Sequence, residues 1–117
     1  MVSADERDGA AKRFGLQRIV SKSDHTLVLS GELDMTAAAA LQAVIVSCVQ
    51  SKPEGLTLDL RGLTFLDSTG LHLILFAQRL CQDKGAEFAL IPGPRKVQHV
   101  FELAALVTRL PFRELTK

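Results

Sequence analysis

Leu63-Thr64-Phe65-Leu66-Asp67-Ser68-Thr69-Gly70-Leu71-His72-Leu73-Ile74-Leu75-Phe76-Ala77 joins a buried strand to an amphipathic helix, and the fold can be read outward from that seam. On its amino side Leu56-Thr57-Leu58-Asp59-Leu60 spells an apolar strand, with Leu63 to Leu66 expected as a connector whose side chains turn inward. On its carboxyl side a helix is expected to run to about Lys84, where Gly85 supplies the stop. Between them Asp67-Ser68-Thr69-Gly70 offers residues that cap exposed backbone N–H groups. Those groups carry partial positive charge, so the hydroxyl of Ser68 stands where an anion such as a phosphoryl group is tolerated.

Composition limits what surrounds the seam. With 117 residues and 47% hydrophobic content, the chain supports one domain with one core. Fourteen basic residues against thirteen acidic leave a formal charge of +1, which gives no general electrostatic attraction to nucleic acid or membrane. Met1 to Asp8 is polar and acidic, unlike a secretory signal, and no apolar run approaches the ~20 residues of a membrane span. A cytoplasmic protein is expected. Cys48 and Cys81 fall among apolar neighbours in expected helices and read as buried free thiols.

In chain order, residues 1–13 lack apolar periodicity and are expected to form a flexible tail, with a single domain over 14–117. Phe14 to Val20 and Thr26 to Gly31 read as a hairpin around the polar turn Ser21 to His25. Glu32-Leu33-Asp34 then forms a short acidic loop before a helix from about Thr36 to Gln50, capped by Thr36 or Asp34. Its apolar stripe is Ala37, Leu41, Val44, Ile45, Cys48 and Val49. Pro53 and Gly55 precede the central strand, whose near-continuous apolarity predicts burial on both faces. Ala86 to Ile91 is a further strand, and Arg95 to Ala105 a short helix with Val97, Val100, Phe101 and Ala104 inward. Val107 to Leu110 reads as a last strand ended by Pro111. The element order ββαβαβαβ predicts an α/β domain, a mixed sheet with helices packed on it.

Chemistry-bearing patterns other than the seam are weak. Ser68 and His72 are four apart on one helix and Asp67 is adjacent, but Leu66 occupies the place where a nucleophile elbow needs glycine. His25 and His99 have no ligand-like spacing to the cysteines, and no Walker loop is present. No catalytic residue, metal or cofactor is therefore expected. Asp59 lies in an apolar strand and must find donors if it is buried.

Gly31-Glu32-Leu33-Asp34, Leu58-Asp59-Leu60, Phe65 to Leu71 and Val97 to Leu106 occur in the order of STAS domains, and the chain from Phe14 to Phe112 resembles that family. The resemblance is to its stand-alone anti-sigma factor antagonists. It implies that Ser68 is a phosphorylation site and that Asp34 contacts the kinase or its nucleotide, with Glu32, Asp67, Thr69, Gly70 and His72 on the partner-binding surface. It further implies partner switching: the unphosphorylated form binds an anti-sigma factor with serine kinase activity and releases a sigma factor, and a serine phosphatase restores binding. The alternative it allows is a STAS subunit docked on the ATPase of a membrane transporter. Two departures stand out. His72 occupies a position where many members carry glycine, and little or none of a C-terminal helix follows the last strand.

Overall fold

The computed structural model describes residues 13–113. Four strands and three helices alternate as β1 (Gly15–Ser21), β2 (Asp24–Leu33), α1 (Met35–Gln50), β3 (Gly55–Leu66), α2 (Ser68–Lys84), β4 (Glu87–Ile91) and α3 (Arg95–Leu103). They form one mixed sheet in the order β1-β2-β3-β4, antiparallel between β1 and β2 and parallel elsewhere. The expected α/β class and mixed sheet are met. The expected tail lies outside the described residues, Arg13 apart, as does any C-terminal helix beyond residue 113.

Register explains the core. Leu27, Leu58 and Leu90 align across three strands and are fully buried, while the next row, Thr26, Thr57 and Ala89, points to the opposite face and is only half-buried. The chain steps across the sheet in one direction, and with the right-handed crossovers usual between parallel strands α1 and α2 fall on the same face, where they pack against each other. Burial on both faces of β3 is therefore not general. Away from the leucine rows, Asp59 is the buried exception.

Boundaries follow local chemistry. The hairpin turns at Lys22 and Ser23, with Lys22 at φ 57°, so Asp24 and His25 belong to β2 and not to the turn. Of the two possible caps on α1, Asp34 is the one used, and Ala37, Leu41, Ile45, Cys48 and Val49 are buried. Gly85 ends α2 at φ 78°, a left-handed conformation that glycine adopts without penalty.

Three further expectations need correction. Leu63 to Leu66 is not a connector: β3 continues through it, because its backbone stays paired with β2 as far as Leu33 and Leu66, across two register shifts. Helix α3 stops at Leu103, and Ala104 is exposed. The strand expected at Val107 to Leu110 is a set of turns, because Ala105 takes φ 58° and the N–H groups of Arg109 and Leu110 both donate to the Leu106 carbonyl. What remains of the last strand is a single parallel bridge between Phe112 and Leu90, where Arg113 N donates to Leu90 O at 2.8 Å.

Candidate functional site

Two strand-to-helix junctions stand side by side at the carboxyl ends of β2 and β3. Leu33 pairs with Leu66, each is followed by an aspartate, and each aspartate caps the helix after it. Asp34 and Asp67 are thus equivalent positions in adjacent parallel units. The rim they form carries the amino ends of α1 and α2 together, where backbone N–H groups lack intrahelical acceptors.

The two caps differ in how fully they are engaged. Asp34 Oδ1 accepts from Thr36 N at 3.0 Å, Thr36 Oγ1 at 2.7 Å and Ala37 N at 3.1 Å. The bond from the Thr36 hydroxyl, followed by that from the Ala37 amide, holds the Asp34 carboxyl below the usual carboxylate range. Asp67 Oδ1 accepts from Gly70 N at 3.0 Å, and Leu71 N donates to the Asp67 carbonyl at 3.0 Å. Ser68, the first residue of α2, is exposed one position past this cap.

Gly70 is buried and works through close approach. A Cβ there would lie 2.7 Å from Leu66 Cδ1 and 2.9 Å from the Leu33 carbonyl oxygen, so α2 is seated directly on the end of β2. Glycine permits that fit; a partner does not reach this position. Asp67 N points to Leu33 O at 3.5 Å along the same seam.

Of the residues singled out in the sequence, Glu32, Asp34, Asp67, Ser68, Thr69 and His72 all lie at or beside this rim, half-buried or exposed. Between the helices, Ala38 and Gln42 from α1 and Thr69, His72, Leu73 and Phe76 from α2 line a groove of about 280 Å³. Helix α1 has no charged residue from Met35 to Gln50, and among the described residues that line the groove His72 is the one ionisable side chain.

Sequence reasoning missed two members of the surface. Met35, the α1 counterpart of Ser68, is 70% exposed, and Phe65, two residues before the Asp67 cap, is 44% exposed. Both lie on the same rim as the exposed Ser68 hydroxyl. A signal was available for Met35, which follows directly on the Asp34 cap and falls outside the apolar stripe of its helix.

Among the described residues no hydrogen bond joins Ser68 to His72, and Asp67 is committed to Gly70. No group of three or more His, Cys, Asp or Glu side chains stands together among the described residues. No described helix is long and apolar enough to cross a membrane.

Comparison with known proteins converges on one family. Residues 19–113 match the family model described as Mlab, STAS domain. The anti-sigma F factor antagonist of Paenibacillus polymyxa is 31% identical over 84 residues, covering 71% of this chain and 72% of that protein. The anti-sigma factor antagonist SpoIIAA in its unphosphorylated form superposes with a TM-score of 0.75 at 24% identity, over 90% of both chains. The phosphorylated form of the Bacillus cell fate determinant SpoIIAA superposes with a TM-score of 0.69 at 24% identity, over 90% of this chain and 93% of that one.

Proposed function

This chain belongs to the STAS domain family, among its anti-sigma factor antagonists, and from that premise we propose that it is a cytoplasmic partner switch controlled at Ser68. Unphosphorylated, it binds an anti-sigma factor and so frees a sigma factor for transcription. Phosphorylation of Ser68 by that partner's serine kinase activity ends the contact, and a serine phosphatase restores it. The domain is substrate and ligand, with no chemistry of its own.

One observation carries the reading: an exposed hydroxyl opens α2 beside a cap that leaves it free, on a rim where Met35 and Phe65 are also open. Existence of SpoIIAA in unphosphorylated and phosphorylated forms with this fold supports the same reading.

Magnitudes explain why modification acts on the contact and not on the fold. A phosphoryl group adds about 1.5 to 2 negative charges. At an exposed helix amino end it gains roughly 0.3 to 1 kcal/mol, too little to rearrange a core. Forced against a partner carboxylate ~4 Å away, each unit charge meets about 4 kcal/mol of repulsion at an effective dielectric near 20. Reversing a 1:99 equilibrium takes about 5.5 kcal/mol, which one unit charge at such a contact comes close to supplying and the full phosphoryl charge exceeds. In this scheme Asp34 presents its Oδ2 to the partner, since its three hydrogen bonds all fall on Oδ1.

The test is intact mass after incubation with the anti-sigma factor and ATP, for wild type and Ser68→Ala. The reading expects one phosphoryl group on wild type, none on the variant, and loss of binding on phosphorylation. Modification at another residue, or undiminished binding by the phosphorylated protein, would overturn it.

A further inference from the structure

His72 follows Ser68 by one helical turn on α2, and both side chains are exposed. Residues four apart on a helix are neighbours, with Cβ atoms about 5 to 6 Å apart, and helical side chains lean toward the amino end. The imidazole of His72 therefore overhangs the turn that carries the Ser68 hydroxyl. Among the described residues the ion pairs are those of Arg61 with Asp59 and of His99 with Glu102, and His72 takes part in neither. Helix α1 brings no charge to this turn, and β3 brings none from Gly62 to Leu66. The other charged groups at the rim, Glu32, Asp34 and Asp67, are all carboxylates. Asp67, the one adjacent to Ser68, is already engaged by the Gly70 amide at 3.0 Å. Along α2 the next cation is Arg79, two turns or about 10 Å beyond His72. A phosphoryl group on Ser68 thus has His72 as the one cationic partner that its own helix supplies within reach.

We propose that His72 is the counter-ion of phosphorylated Ser68: the protonated imidazole donates to a phosphoryl oxygen and makes the strength of the switch depend on pH. The inference rests on Ser68 as the modified residue. Histidine is the side chain whose ordinary charge change falls between about pH 5 and 8, the range in which phosphoserine also loses its second proton, near about 6. A neutral ring leaves the phosphoryl group its full charge against a partner. A protonated ring offsets one unit of that charge from within the chain, so the phosphorylated protein repels its partner less in mildly acidic solution than in alkaline.

Phosphoserine installed at position 68 of the full chain by genetic code expansion tests this without a kinase. The readout is the phosphorus NMR resonance followed across the second phosphoryl ionisation, in wild type, His72→Gln, His72→Lys and Arg79→Gln, with circular dichroism to show that each is folded. A cation in contact favours the dianion, so the midpoint should lie lower in wild type than in His72→Gln, by about 0.2 to 0.4 pH unit. His72→Lys keeps a cation at the same place and should restore the low midpoint. Arg79→Gln should move it less than half as far as His72→Gln does. Coincident midpoints for wild type and His72→Gln overturn the contact and leave Ser68 as the switch, whereas a kinase that modifies a different residue defeats the switch and leaves this measurement untouched. A midpoint in His72→Lys no lower than in His72→Gln overturns the contact as well. So does an equal shift from Arg79→Gln, which would make the effect one of general charge.

Discussion

Arg61 folds back over Asp59 on the same strand, donating Nε at 3.0 Å and Nη2 at 2.8 Å to a carboxylate that is only 4% exposed. Residues two apart in a strand share a face, so this pair is set by the pleat itself. The Arg61 backbone N–H adds a third bond at 3.1 Å. Together they answer how an apolar strand accommodates a carboxylate.

Removing one member of that pair should cost more than removing both. Arg61→Ala leaves the buried Asp59 carboxylate without its charged donor, whereas Arg61→Ala with Asp59→Asn leaves a neutral amide. The urea midpoint should fall further in the single variant than in the double. The side-chain bonds from Arg61 outweigh burial and hold the Asp59 carboxyl below its ordinary value. Its stabilising contribution is thus present above the unfolded carboxylate value, near 3.9, and is lost as pH falls through the lower folded value. Wild type should lose this increment only in that acid range, and Arg61→Ala should show a shallower acid dependence.

His25 works in the opposite pH direction. It is 7% exposed, and burial, followed by the Arg18 charge, pulls its pKa below 6.5, with Asp24 opposing. The native state therefore favours neutral imidazole, while the unfolded chain takes up a proton as pH drops below about 6.5. Stability should be full above that value and decline from it toward the lower folded value. Melting temperatures at pH 7.5 and 5.5 check this: wild type should fall by a few degrees between them, and His25→Gln should lose most of that difference.

Gly70 and Gly85 separate two reasons for glycine. At Gly70 the obstacle is space, with Leu66 and the Leu33 carbonyl within 3 Å of an added Cβ; at Gly85 space is open and the obstacle is φ. Gly70→Ala must shift the first turn of α2 against β2, for a loss of about 1–3 kcal/mol and weakened partner binding. Gly85→Ala should cost about 1–2 kcal/mol through backbone strain and leave binding unchanged. Equal binding by both variants, measured where both are folded, would detach the seat of α2 from the contact surface.

Much of this was legible from local chemistry. Asp34, Asp67 and Gly85 announce helix ends because capping is decided within a few residues, and the leucines of β2, β3 and β4 announce a shared core. Where the reading failed, partners distant in sequence decided. Leu63 to Leu66 remains strand because β2 lies beside it, and the pairing of Phe65 with Glu32 cannot be read from either segment alone. Val107 to Leu110 has strand-like composition, yet the left-handed Ala105 turns the chain and Leu106 captures the next donors. Composition also cannot tell an exposed Met35 or Phe65 from a buried one, so the apolar part of the rim emerged only with the fold.

Met35 offers the sharpest check on whether that rim is the contact surface. It occupies in α1 the position that Ser68 occupies in α2, and at 70% exposure it contributes little to the core. Met35→Glu should therefore leave stability within about 0.5 kcal/mol of wild type. A carboxylate at the amino end of α1 is even favoured by the helix dipole, so any loss of binding cannot be blamed on the fold. If the partner covers this rim, the added charge must be desolvated against a surface that the proposed switch requires to refuse phosphoserine, and affinity should drop at least tenfold. Met35→Leu, which keeps the apolar contact, should bind within about threefold of wild type, since swaps between apolar residues of similar volume are well tolerated. Titration of the anti-sigma factor against the three proteins reads the difference directly, and equal affinities for Met35→Glu and wild type would place the partner elsewhere.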